Sequence, residues 1–249
     1  RIFENQTGQD FAVVNADDPA VLEIAKRGRA AERLFSRRGS IEDGTVVDGE
    51  WIVARRGGVQ ERIVPLDAIH LLGPHLVDDV MAAATVGVIA GAAPAAVTAA
   101  VDAFGGLEHA MELVATIGGV RFVNDSKATN VVSALRSIES FDTGLGPIIG
   151  GHFKGGDLRD LREALVARAK AVVAIGEAAP LVREALADVV TVYTAGSFGA
   201  AIDQAYELAR PAGVVLLAPA CASFDMFRDY AERGRRFKEE VVRLERRER

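Results

Sequence analysis

From Val120 onward the chain alternates short, mainly apolar runs with amphipathic stretches, and does so five times. The runs are Val120 to Val123, Pro147 to Ile149, Ala171 to Ile175, Val189 to Tyr193 and Val214 to Leu217. Runs this short and this apolar suit strands covered on both faces. Between and after them lie helical patterns at Ala128 to Glu139, Asp157 to Ala169, Ala179 to Leu186, Phe198 to Ala209 and about Asp225 to Glu245. Repeated strand and helix alternation predicts a parallel sheet with helices on both sides. One α/β domain accounts for everything after about Gly106.

The first hundred residues follow another pattern. Phe11 to Val14 reads as a strand and Val21 to Ala25 as a short helix. Thr45 to Val47 and Trp51 to Ala54 alternate in polarity about Asp48-Gly49, which predicts a hairpin. Two alanine-rich helices follow near Val77 to Ala90 and Pro94 to Ala103, and Gly105-Gly106 then end the pattern. With only one or two further strands, this segment is too small to close a large sheet. It reads as the second half of a bigger domain, with a boundary at 106.

Charge and cysteine content narrow the classes of partner. Lys plus Arg is 29 against 35 for Asp plus Glu, a net charge of −6. That balance argues against neutralising a nucleic-acid backbone. The single cysteine, Cys221, has no partner for an internal disulfide, which fits the reducing cytoplasm. A membrane span needs about 18 or more apolar residues. The best candidate, Val80 to Val101, is interrupted by Gly87, Gly91 and Pro94, so no membrane partner is expected. The opening residues Arg1 to Gln6 resemble the tail of a helix, so the chain is expected to be a fragment. The basic end, Arg246-Arg247-Glu248-Arg249, reads as charge complementing a helix C-terminus.

In an open parallel sheet, ligands collect beyond the carboxyl ends of the strands. Three polar clusters fall there. The first is Asn124-Asp125-Ser126-Lys127-Ala128-Thr129-Asn130, in which Asp125, Ser126 or Thr129 would suffice as a helix cap. A lysine added at the positive end of a helix asks for an anion as well. The second runs from Gly150-Gly151 through His152 and Lys154 to Gly155-Gly156-Asp157. Its glycines permit close backbone approach and its lysine supplies a mobile cation, although a flexible surface turn has the same composition. The third, Ala218-Pro219-Ala220-Cys221-Ala222-Ser223-Phe224-Asp225, offers Ser223 and Asp225 as caps for the last helix. Cys221 reads as a small buried apolar residue, since no base lies near it in sequence. No Walker A loop, dinucleotide glycine fingerprint or hydrolase elbow is present, and the four histidines show no metal-ligand spacing.

These residues resemble the D-glutamate-adding branch of the Mur ligase family. The likeness is carried by Asn124 to Asn130, by Gly150-Gly151 with Lys154, by Pro219-Ala220-Cys221-Ala222-Ser223, and by Asp225, Phe227 and Glu232-Arg233-Gly234. Upstream, Asn15-Ala16-Asp17-Asp18-Pro19 and Leu72-Gly73 with His75 resemble the later part of the family's central ATPase domain. The resemblance covers essentially the whole chain. It implies residues 1–106 as a partial central domain without the P-loop. It implies 107–249 as a C-terminal glutamate-binding domain with a Rossmann-like, doubly wound, mostly parallel sheet.

The function so implied is ATP-dependent amide formation in peptidoglycan synthesis. An acyl phosphate of UDP-N-acetylmuramoyl-L-alanine is attacked by the amine of D-glutamate, with ATP and Mg²⁺ as cofactors and a monomer as the expected state. By resemblance, Lys154, Thr129 and Ser223 bind D-glutamate, assisted by Lys127, the backbone near Phe224 and the ring of Tyr230. His75, Asp79 and Asp125 fall on the nucleotide side. The chain departs from the family pattern at Leu76 and Asp79, where asparagines are usual, and at Ala110, where arginine is usual. A ligase for another amino acid, of the Mur or folylpolyglutamate type, and a non-catalytic ligand-binding domain are the alternatives. With no phosphate-binding loop in its sequence, this polypeptide alone is expected to give no D-glutamate-dependent ADP release, which a coupled ADP assay checks.

Overall fold

The computed structural model of the protein describes residues 2–39 and 41–248. The chain divides into two compact units, Arg1–Gly105 and Gly106–Arg249.

The first unit contains β1 (Phe11–Asn15), α1 (Pro19–Ala25), β2 (Ala31–Ser36), β3 (Gly44–Asp48), β4 (Trp51–Arg56), β5 (Val59–Pro65), α2 (Pro74–Ile89) and α3 (Pro94–Asp102). Its sheet has the order β1-β2-β3-β4-β5. The first three strands run parallel and the last three form an antiparallel meander. The anticipated hairpin is β3-β4, with Asp48 paired to Trp51 and Gly49 taking the positive φ (59°) that the two-residue turn requires. Val80, Met81 and Ala84 of α2 pack with Phe35, Ile52, Ile63 and Val64 to make the core. Asp18 caps α1 by accepting from the N–H groups of Ala20 and Val21. Residues 2–5 form turns, whereas the sequence suggested a helix tail.

The second unit contains β6 (Glu112–Ile117), β7 (Val120–Asn124), α4 (Val131–Glu139), β8 (Leu145–Gly150), α5 (Arg162–Arg168), β9 (Val172–Ile175), α6 (Ala179–Leu186), β10 (Val192–Thr194), α7 (Phe198–Ala209), β11 (Val214–Leu217) and α8 (Tyr230–Glu248). The sheet order is β10-β9-β8-β11-β7-β6, parallel except for the antiparallel edge strand β6. Phe122, Ile148, Val173, Val215 and Leu217 pack with α7 and α8 residues such as Ile202, Tyr206 and Phe237. The alternate residues Val123, Ile149, Val172, Ala174 and Leu216 are buried as well, so both sheet faces are covered.

The mixed α/β class and the parallel sheet agree with the sequence, while several boundaries move. The strand read as Val189 to Tyr193 is only Val192–Thr194, and Asp157 to Ala169 divides into a 3-10 turn, Leu158–Leu161, followed by α5. Strand β6 went unread. It pairs back on β7 through Gly118-Gly119, both at positive φ. Helix α4 starts at Val131, because Asn130 caps it by accepting from Ser133 N–H at 2.9 Å, in place of Asp125, Ser126 or Thr129. Helix α8 starts at Tyr230, five residues later than anticipated, after Asp229 accepts from Glu232 N–H. Ser223 and Asp225 are therefore not its caps. The N–H groups of Met226 and Phe227 both donate to the Ser223 carbonyl, closing a separate turn.

The register places the ends of β7 and β11 at one level, with β8 between β11 and β9 running two residues further to Gly150. Leu217 at the end of β11 pairs with Asn124 of β7 on one side and with Ile148 of β8 on the other. The β7, β8 and β11 turns therefore leave the same edge of the sheet. At Gly150, φ is +134° and a Cβ would lie 2.0 Å from the Ile175 carbonyl oxygen, whereas at Gly155, φ is +109° with open space around it. Gly150→Ala is expected to destabilise the second unit by about 2–4 kcal/mol and Gly155→Ala by about 1–2 kcal/mol. Urea unfolding midpoints of the two variants check the order.

Candidate amino-acid site over β7, β8 and β11

Chain continuity alone would not hold three turns together, and here they are bonded to one another. The Ala220 N–H donates to the Ala128 carbonyl at 3.0 Å, linking the β11 and β7 turns. His152 and Ala222 exchange two backbone hydrogen bonds of 2.9 Å, linking the β8 and β11 turns. The Gly150 N–H donates to the Pro219 carbonyl at 2.9 Å. Gly150 and Gly151, at φ +134° and +130°, have no side chain where Ile175 and Ala222 carbonyls approach.

Within the β7 turn, the polar side chains split into two sets. Asn124, Asp125 and Ser126 point inward and are buried. The Asn124 amide nitrogen lies 3.1 Å from Glu112 Oε2 and 3.2 Å from the Gly234 carbonyl, and its oxygen accepts from Ser126 N–H. Asp125 accepts from Met111 N–H through Oδ1 at 3.1 Å and from the Ser137 hydroxyl through Oδ2. Lys127 is exposed and Thr129 half-buried, on the outward side of the same turn. Satisfied inward groups fix the turn, and the outward pair faces away from that inner network.

Across the turns, Lys154 Nζ lies 3.5 Å from Thr129 Oγ1. Lys154 is exposed, while Ser223 is buried beside Ala222, one residue from the His152 bridge. Phe224 is 69% exposed and Tyr230 40%, so two aromatic rings remain uncovered in the segment that leads into α8. The structure thus joins the turns carrying Lys127, Thr129, Lys154, Ser223 and Phe224, and ties Tyr230 to them through its carbonyl, which accepts from the Ser126 hydroxyl at 2.7 Å. Two ammonium groups, hydroxyls and aromatic faces suit a small ligand with carboxylates.

His75 and Asp79 belong to the first unit, one helical turn apart on α2, and neither is without a partner. The Cys221 thiol is buried and pushed up to about 11 by desolvation, so it does not serve as a nucleophile. His152 is exposed and pairs through Nδ1 with Glu177 at 2.9 Å. Among the described residues, no group of three or more His, Cys, Asp and Glu is placed to hold a metal ion, and no helix is long and apolar enough to cross a membrane.

Two polar residues support the site in ways the sequence reading does not give: Asp225, read there as a helix cap, and His109. Asp225 accepts from the Glu177 N–H through Oδ2 at 2.9 Å, joining the turn after β9 to the β11 turn. His109 is buried at 3% exposure with φ +66°, its Nδ1 3.0 Å from the Asn124 amide nitrogen. Its ring fills the space that a Cβ at Gly234 would need, 2.3 Å away. A histidine and an asparagine separated by an intervening hairpin give no local sequence signal of that contact.

A six-stranded, mostly parallel sheet with cationic and hydroxyl-bearing turns over adjacent strands defines the second unit as an open α/β domain. Residues 109–221, within the second unit, match the family described as Mur ligase, glutamate ligase domain. Over nearly its whole length the chain is related to the D-glutamate-adding branch. It is 43% identical to the UDP-N-acetylmuramoylalanine--D-glutamate ligase of Koribacter versatilis, with 98% of this chain and 54% of that protein aligned. The chain therefore spans about half the length of the curated relatives it matches. Its fold is shared by a pseudomurein peptide ligase type C of Methanothermus fervidus (TM-score 0.66, 12% identity, 93% of this chain and 56% of that one). It is shared also by the MurF ligase of Thermotoga maritima in complex with ADP (TM-score 0.64, 15% identity, 98% and 56%).

Burial holds the His109 imidazole below its ordinary pKa of 6.5, a shift that Lys238 and Arg235 reinforce and that Glu108 and Glu112 oppose. The folded state thus binds this proton less readily than the unfolded chain. Its contribution to stability is complete above about pH 6.5 and declines as pH falls from there toward the folded-state value. Urea unfolding between pH 8 and pH 5.5 is expected to show that loss, with a shallower slope in His109→Gln, although that variant starts less stable.

Proposed function

We propose that the second unit holds D-glutamate as the amine donor of an ATP-dependent amide-forming ligase of peptidoglycan synthesis. UDP-N-acetylmuramoyl-L-alanine is the carboxylate that becomes acylating. The observation that carries this reading is the junction of three turns at which Lys154 Nζ comes within 3.5 Å of Thr129 Oγ1, next to the backbone-bonded Ala222-Ser223 segment. The names of the relatives at about 40% identity support the choice of amino acid.

In this reading ATP transfers its terminal phosphoryl group to the substrate carboxylate, giving an acyl phosphate and ADP. The amine lone pair of D-glutamate adds to the acyl carbon, phosphate leaves, and the nitrogen loses a proton as the amide forms. The work of this chain is to hold the attacking molecule. Lys154, Thr129 and Ser223 take its two carboxylates, helped by Lys127, the backbone at Phe224 and the ring of Tyr230. Fixing both carboxylates leaves the amine as the free end and makes the attack effectively intramolecular. His75 and Asp79 of the first unit are assigned to nucleotide binding, whereas Asp125, turned inward onto Met111 and Ser137, braces its own turn. The carboxylates and histidines described here do not fit a Mg²⁺ site, and the metal that accompanies ATP is not assigned to them. A cytoplasmic monomer completes the reading, in keeping with one buried cysteine.

Calorimetric or NMR titration of the chain with D-glutamate tests the proposal. Saturable binding is expected, weakened about tenfold or more by Lys154→Ala, since a hydrogen bond to a charged group contributes about 1.5–3 kcal/mol. Tighter binding of L-glutamate, L-lysine or meso-diaminopimelate would move the assignment to another ligase. Equal affinity in Lys154→Ala would remove the site.

A further inference from the structure

Helix α8 presents a buried face on which Phe237, Val241 and Leu244 follow one another at helical spacing. One turn before Phe237, on that same face, stands Arg233 with 0% exposure. An arginine there costs desolvation that an apolar residue would avoid. Burial draws its pKa down to about 10, so it remains charged at neutral pH.

Its bonds account for the position. Nε donates to Ser126 Oγ at 2.9 Å, and Nη2 to the Ser126 carbonyl at 2.9 Å and the Cys221 carbonyl at 3.1 Å. Nη1 donates to the carbonyls of Cys221 and Ala222 at 3.2 and 3.3 Å. Ser126 is in the β7 turn, and Cys221 and Ala222 are in the β11 turn. The β8 turn reaches the same group, for a Cβ on Gly151 would stand 3.2 Å from Nη1. Among the described residues no carboxylate makes an ion pair with this guanidinium, and Asp225 acts on it only through its longer-range field.

We propose that Arg233 is a positioning residue for the amino-acid site: a buried guanidinium bonded to Ser126, Cys221 and Ala222 beneath Gly151, setting the spacing of Thr129, Lys154 and Ser223. Each contact lies within three residues of one of those side chains. The planar fork matters as much as the charge, because it spans acceptors in two turns at once, which a lysine ammonium on a single point cannot do. The inference rests on the reading of the site given above, and two readouts keep the two apart.

The first readout needs no ligand. In Arg233→Lys and Arg233→Met, the amides of Ala220 and His152, which bond across the turns, are expected to exchange about tenfold or more faster, with core amides of β7 and β11 much less affected. The second is D-glutamate affinity, expected to fall about tenfold or more in both variants, since small misplacements of binding groups cost that much. Added guanidinium is expected to restore affinity in Arg233→Ala. Wild-type exchange at Ala220 and His152 in Arg233→Met, or wild-type affinity in Arg233→Lys, would overturn the proposal. Should the uncharged variants fail to fold, Arg233→Lys alone decides it through both readouts. If the unaltered chain does not bind D-glutamate, the function proposed above fails, while the exchange data still decide the role of Arg233.

Discussion

Main-chain groups at the ends of β7, β8 and β11 have no further strand to pair with, and buried peptide groups must find partners. They find them in one another. The Ala220 to Ala128 bond, the His152 and Ala222 pair and the Gly150 to Pro219 bond turn three loose connections into one continuous surface. The shape of this edge depends on that cross-bonding. The strand register is a precondition, since β11 lies between the other two, ends level with β7 and stops two residues short of the end of β8.

Above and below this surface, polar side chains do different jobs. Asn124, Asp125 and Ser126 spend their hydrogen bonds inside the protein, on Glu112, Met111, Ser137, Tyr230 and the carbonyl of Gly234. Lys127, Thr129 and Lys154 spend almost none there. In the function proposed above, a ligand with two negative groups would meet cations that need not abandon strong internal partners. Glu112 extends the inner network to Lys238 on α8 at 3.1 Å, so the long helix is fastened to the same turn from beneath.

The strand and helix alternation after Val120 was legible because each parallel strand is buried on both faces and each helix is amphipathic. Strand β6 was harder to read. Of its residues Glu112 to Ile117 only Ile117 is buried, and it is joined to β7 by a Gly-Gly pair that could have signalled a hairpin. Helix starts were misplaced where several capping residues compete, as at Asp125 to Asn130 and Ser223 to Asp229, because the tertiary bonds of Asp125 and Asp225 decide which residue caps. Among site residues, Lys154, Thr129 and Ser223 announced themselves as polar residues after buried runs. Arg233 did not, although a cation at the apolar spacing of Phe237, Val241 and Leu244 is a readable anomaly. The contact of His109 with Asn124 and Gly234 depends on long-range packing that no local pattern encodes.

The bonds that pass directly from one of the three turns to another run between backbone atoms, many of them from alanine, glycine and proline, whose side chains take no part. Exchanging the outward residues Thr129, Lys154 or Phe224 would therefore leave the scaffold standing. A lineage descended from such a domain can change what this rim presents to its surroundings by point changes, without passing through an unfolded ancestor.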